Sequence, residues 1–182
     1  MTPKAISRTE APGVRRVDAV TLLAAFSLFL STIEFIIPKP LPFLRLGLAN
    51  LAFLVGLRVL RVRELLLLVA IKVAVQGLFL GTLFSYAFVL SACGSLAGGL
   101  AMLAAYRLGG RRITFIGVSV CGAAASNIAQ IAAAGIIFLG PGVWLIAPPF
   151  LLVGLVTSVI LGVLAERFTA KSKWVAKHSR AR

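Results

Sequence analysis

The chain has 182 residues, 60% of them hydrophobic, a formal net charge of +14 and a mean hydropathy of +1.03. A soluble domain is about 45–50% apolar and needs a charged surface, yet only 13% of this chain is charged, which excludes a water-soluble fold. The basic excess sits in the tails and in short breaks between apolar runs, with no basic stripe interleaved with aromatics. That placement excludes a nucleic-acid groove and points to the cytoplasmic face of a lipid bilayer.

A basic tail, 1–17, precedes a first apolar run from Asp18 to Ile37 that stops at Pro38. The run carries Glu34 and has no small-residue cleavage site, so it reads as a retained span and not as a signal peptide. Pro38, Pro40 and Pro42 preclude a regular helix in the loop that holds Lys39 and Arg45. Span 2, Leu46 to Leu60, is short and is closed by Arg58, Arg61 and Arg63. Span 3 covers Glu64 to Leu80, and a break at Gly81-Thr82 leads to span 4, Leu83 to Tyr106. A loop with Arg107, Arg111 and Arg112 precedes span 5, Ile113 to Leu139. Gly140-Pro141-Gly142 turns the chain into span 6, Val143 to Arg167, and a basic tail, 168–182, follows.

The expected class is therefore an all-α bundle of six transmembrane helices over residues 18–167, with both ends in the cytoplasm. Charge decides the status of the short span 2. With six crossings, 16 of the 19 Lys and Arg residues fall inside, Lys39 and Arg45 fall outside, and Lys72 lies in the membrane. Without span 2 every later basic group changes sides. The expected location is a bacterial cytoplasmic (inner) membrane.

Polar groups inside hydrocarbon are costly unless paired, so each is a candidate functional residue. Glu34, Asn50, Lys72, Gln76, Asn127 and Gln130 all fall between the midplane and the outer surface in this topology. Lys72 and Gln76 are four residues apart, and Asn127 and Gln130 three, so each pair shares a helix face. Turned inward and topped by Glu34, Lys39 and Arg45, the two faces predict an outward-facing polar cavity. The plainer reading is that such groups hydrogen-bond between helices. It is preferred for Ser91, Ser95, Thr157 and Ser158, while for Lys72 a functional role or an ion pair with Glu34 is preferred.

Small residues at four-residue spacing predict close helix contact. They form the sets Gly94/Gly98 and Ser91/Ser95/Gly99 in span 4, and Gly117/Cys121/Ala125 in span 5. Cys93 and Cys121 have neither a disulfide framework nor metal-ligand spacing and read as packing residues. Nothing points to a cofactor. Pro148-Pro149 is expected to break or bend the start of span 6.

Several stretches together resemble a known family. They are Glu34 to Pro38, Leu46-Gly47-Leu48-Ala49-Asn50, Lys72 through Gly81 to Ser85, Ser91 to Gly99, and Gly117 through Ser126-Asn127-Ile128-Ala129-Gln130. The family is the bacterial membrane family labelled either Gx transporter or heptaprenyl diphosphate synthase component I, and the likeness covers about residues 18–167. It is in turn similar to the substrate-binding S components of energy-coupling factor (ECF) transporters. That resemblance implies a six-helix S-component fold with a small-solute site opening outward near the outer loops and spans 4 to 6. It also implies partners in the form of ECF transmembrane and ATPase subunits. Lys72 stands where the family often has Arg, and Ser126 where it often has His. Each keeps polarity and changes hydrogen-bonding capacity, so the ligand need not be that of relatives. The Ala-x-x-x-Ala face that S components turn to their membrane partner is absent in strict form, with Thr21 and Ala25 coming closest.

The expected function is capture of a small solute from the outer face by a transporter subunit. No Gly-x-x-x-x-Gly-Lys-Ser/Thr loop is present, so energy has to come from elsewhere. The alternative is a non-catalytic accessory role in prenyl (heptaprenyl) diphosphate synthesis, with an isoprenoid-like ligand. Catalysis of prenyl transfer needs clustered aspartates around Mg²⁺, and Asp18 is the only aspartate. The expected substrate-contacting residues are Glu34, Lys39, Arg45, Asn50, Lys72, Gln76, Asn127 and Gln130.

Overall fold

The computed structural model describes residues 12–37, 47–79, 81, 83 and 85–179. Among them the chain is entirely helical: α1 (Pro12–Ile36), α2 (Asn50–Val59), α3 (Val62–Phe79), α4 (Tyr86–Gly109), α5 (Phe115–Ala134), α6 (Val143–Lys171) and α7 (Lys173–Ser179). One turn of 3₁₀ helix, Gly110–Arg112, joins α4 to α5. A π turn, Gly135–Leu139, and a 3₁₀ turn, Gly140–Gly142, join α5 to α6. The expected site residues Lys39 and Arg45 lie outside the described residues.

Among the described residues, four stretches are long and apolar enough to cross a membrane: Val17–Glu34, Tyr86–Gly109, Phe115–Ile137 and Gly140–Lys171. At 1.5 Å per residue, the 24-residue α4 reaches about 36 Å against a hydrocarbon core of about 30 Å. Large apolar side chains on these helices face outward, among them Leu145, Leu152, Ile136 and Ile160, as lipid contact requires. α3 has 18 residues but contains Arg63, Glu64 and Lys72, so its apolar character is diluted. α2 has only 10 residues, about 15 Å, and its six buried residues from Ala52 to Leu57 make it a core element and not a lipid-facing one.

The apolar core lies at one end of the bundle. There Leu23 of α1, Leu57 of α2, Leu65 of α3, Met102 of α4, Phe115 of α5 and Ala165 of α6 pack together. The Arg58 guanidinium sits 5.1 Å over the Phe115 ring, and Tyr106 stacks on the same ring at 6.2 Å. Arg58, Arg61, Arg63, Arg107, Arg112, Arg167 and Lys171 flank this end, so charge and apolar core share it. The chain beyond Lys171 also returns to it. α7 buries Val175 and packs Trp174 against the same core, next to α2.

Helix contacts rest on glycine. A methyl group added at Gly98 of α4 would lie 3.0 Å from the Gly122 carbonyl oxygen of α5, and one at Gly162 of α6 would lie 2.5 Å from Ile116 Cα of α5. α5 is thus held by its backbone between α4 and α6. The α4 face follows the expected spacing. The expected small face of α5 does not: Cys121 is exposed, and Val118, Ser119 and Gly122 turn inward instead. One step of 100° separates the two faces, and the run of small residues from Gly117 to Ser126 looks alike on both. Pro148 and Pro149 do not break α6 either, which starts five residues earlier and runs through both. The carbonyls they deprive of a helical donor belong to Trp144 and Leu145, on exposed residues near the helix start.

Candidate binding cavity

A small, partly open cavity lies at the centre of the bundle beside the apolar core. It draws on α1 (Ser31, Glu34), the turn into α2 (Gly47, Ala49, Asn50), α3 (Lys72, Gln76) and α4 (Ser95). α5 contributes Ser119, Ala123, Ser126, Asn127 and Gln130, and α6 contributes Gly154, Thr157, Ser158 and Leu161. Six of the eight expected site residues therefore meet on one wall, and the other two, Lys39 and Arg45, are outside the described residues.

The α1–α2 side is organised by Glu34, which is 7% exposed. Its carboxylate accepts from the Gly47 N–H at 3.2 Å and the Leu48 N–H at 2.9 Å. These donors open the turn that starts α2, so the negative charge sits at a helix N-terminus where it is favoured. Gly47 has φ +76°, a left-handed conformation that lets the chain turn there and present both N–H groups to one carboxylate. The same turn closes with Asn50 N–H donating to the Gly47 carbonyl at 2.8 Å. Asn50 in turn accepts from Lys72 Nζ at 3.1 Å, which brings the α3 ammonium to the cavity wall. Ser27 on α1 donates to the Ala49 carbonyl at 3.3 Å and ties the turn to α1 two helical turns deeper than Glu34.

The α5 side presents two amides, both buried: Asn127 and Gln130, each 5% exposed. Gln130 Nε2 donates to Ser126 Oγ at 3.0 Å and to the Ser126 carbonyl at 3.3 Å. Asn127 Nδ2 reaches the Phe150 carbonyl of α6 at 3.5 Å, a long bond. Each amide fits against a glycine of the neighbouring helix. A Cβ at Gly94 of α4 would stand 2.5 Å from Gln130 Nε2, and a Cβ at Gly154 of α6 would overlap the Asn127 amide. Only glycine leaves room for these side chains at this helix separation.

Sequence reasoning passed over Ser31 and Ser119 as cavity-lining residues, noted Ser126 only as a departure from the family pattern, and assigned Ser95, Thr157 and Ser158 to plain helix hydrogen bonding. Thr157 donates to the Val153 carbonyl at 2.9 Å, and Ser158 to the Leu155 carbonyl at 2.7 Å, as that reading expects. Both nevertheless face the cavity. Ser91 is buried on α4 and does not line it. Spacing from Asn127 was the available signal: Ser119, Ser126 and Gln130 lie eight before, one before and three after it, within one helical stripe. Among the described residues, no group of three or more His, Cys, Asp or Glu could hold a metal ion.

Long apolar helices enclosing a polar wall define a multi-pass membrane protein. The chain belongs to the family described as heptaprenyl diphosphate synthase component I, whose model matches residues 23–168. The match takes in every residue described on the cavity wall. Comparison with curated proteins and with solved structures returned no match.

Proposed function

We propose that this protein is a substrate-binding membrane subunit, similar in role to the S components of ECF transporters. In this reading it captures a small molecule from the outer face of a bacterial inner membrane for uptake. The observation that carries the reading is the single cavity joining Glu34, Asn50, Lys72, Gln76, Asn127 and Gln130. Buried polar groups in a membrane are expensive. Six of them converging from four elements on one unfilled space is more than helix adhesion requires.

The reading takes the chain through the membrane six times. The core end supports this, because it collects the starts of α1, α3 and α5 and the ends of α2, α4 and α6, so each element reverses the one before. The basic groups at that end favour the cytoplasmic side for it, and on this reading the cavity opens outward. α2, at 10 residues, is by itself shorter than a full crossing. Transport energy comes from ECF-type transmembrane and ATPase partners.

The test is to purify the full chain in lipid nanodiscs and identify any co-purified small molecule by mass spectrometry, in wild type, Lys72→Met and Asn127→Leu. A compound present in wild type and depleted in both variants supports the reading. Absence of any compound, with both variants otherwise unchanged, contradicts it. The family description favours a second reading, an accessory role in isoprenoid diphosphate handling. That reading requires a bound isoprenoid diphosphate that is lost in Arg45→Ala.

A further inference from the structure

The polar cavity has a neighbour. Between α1 and α3 an open groove is lined by Leu28, Phe29, Ser31, Thr32, Gln76 and Phe79. Ser31 and Gln76 line both spaces, so the groove and the cavity adjoin through two polar side chains. The rest of the groove is mainly apolar. Its outer lip is formed by Phe29, 61% exposed, and Phe79, 85% exposed, on helices whose outward faces meet lipid.

Charge on the cavity wall narrows what can bind. Glu34 and Lys72 are its only charged residues among those described, and they are opposite in sign. The Glu34 carboxylate already accepts two backbone N–H groups, and the Lys72 ammonium already donates to Asn50. Amides and hydroxyls dominate the remaining wall, and these match a head that both donates and accepts hydrogen bonds.

We infer that the ligand of this cavity is an amphiphile. Its uncharged, hydrogen-bonding head sits among Asn50, Asn127 and Gln130, and its slender apolar chain leaves sideways past Ser31 and Gln76 along the α1–α3 groove into the lipid. The inference rests on the reading that the cavity binds a small molecule, and it names the class. A purely water-soluble solute gains nothing from an apolar exit into the bilayer, whereas an apolar chain stays out of water along the whole route. The groove then serves as both entrance and tail site, and the binding subunit samples its ligand from the membrane.

The experiment uses the full chain in nanodiscs of phosphatidylethanolamine and phosphatidylglycerol. The probe is a 1-monoacylglycerol carrying a diazirine in its acyl chain, with cross-links mapped by peptide mass spectrometry. The expected labels fall on 28–32 and 76–79. They are competed by unlabelled monoacylglycerol but not by glycerol, and they drop several-fold in Leu28→Trp and in the surface variant Phe79→Ala. Leu152→Trp, on the lipid face of α6, leaves them unchanged. Labels spread evenly over Leu152 and Ile160 mean bulk lipid only and overturn the inference, as does labelling indifferent to both groove variants. If a co-purified compound is lost in Asn127→Leu yet kept in Leu28→Trp and Phe79→Ala, the cavity reading stands and the lateral route falls. If Asn127→Leu also changes nothing, the cavity reading fails with it.

Discussion

Replacing Glu34 separates its role as a helix anchor from a role as a passive polar residue. Its two oxygens accept from Gly47 at 3.2 Å and Leu48 at 2.9 Å in a nearly closed environment. Glu34→Ala leaves two partly buried N–H groups without these partners, at up to ~1–3 kcal/mol each, so the expected loss is ~2–4 kcal/mol. Glu34→Gln keeps one neutral oxygen. Charge-assisted bonds are roughly twice as strong as neutral ones, and the favourable charge at the start of α2 also disappears, so ~1–3 kcal/mol is expected. Glu64 provides the internal control. Its carboxylate accepts from the Arg61 N–H at 2.6 Å at the start of α3, the return half of a capping box, but in an exposed setting. Water replaces it there, and Glu64→Ala should cost ~0.5–1 kcal/mol. The assay is equilibrium unfolding of the purified chain in mixed micelles, followed by the fluorescence of Trp174, which packs on the core. The expected order of loss is Glu34→Ala, then Glu34→Gln, then Glu64→Ala. Equal losses at Glu34→Ala and Glu64→Ala would refute the reasoning, because burial is what distinguishes the two sites.

Three further outcomes follow from the helix contacts and the cavity wall. Gly162→Ala, whose new methyl meets the Ile116 backbone at 2.5 Å, should destabilise by ~1–3 kcal/mol, while Gly142→Ala, with nothing within 4 Å, should be close to neutral in the same unfolding assay. Gly94→Ala should destabilise less than Gly162→Ala, because the side chain it meets is flexible, and most of its effect should vanish in a Gln130→Ala background. A double-mutant cycle measures that coupling, and strict additivity would contradict the packing of Gln130 on Gly94. Lys72→Met should weaken retention of a co-purified ligand by about tenfold, the equivalent of ~1.4 kcal/mol, read by quantitative mass spectrometry.

Hydropathy and glycine-proline breaks made the long helices legible, because a helix in lipid must be apolar along its whole length. The starts and stops were less so. α1 starts at Pro12, inside what reads as a basic tail, because Arg15 and Arg16 fit a helix as well as they fit a tail. α7 was hidden for the same reason: a stretch rich in lysine looks solvated, and only Trp174 and Val175 mark the side that docks. The cavity was legible in part because asparagine, glutamine, glutamate and lysine stand out against an apolar background. Its serines did not stand out, since a serine in a membrane helix satisfies itself on a backbone carbonyl whether or not it lines a space. The two glycines that admit the amides, Gly94 and Gly154, look like any other small packing residue until the helices are placed side by side.

Accessibility of the cavity tests the central claim most directly. In a chain with Cys93 and Cys121 replaced by alanine, single cysteines are placed at Ser126 and Ser31 on the wall, at Ile160 on the lipid face, and at Lys173 by the basic end. Spheroplasts are then treated with a membrane-impermeant, charged thiosulfonate from outside. The account predicts modification at the Ser126 and Ser31 positions, with none at Ile160 or Lys173. Modification of Lys173 from outside, or of Ser126 only after the inner face is opened, would contradict an outward-facing cavity.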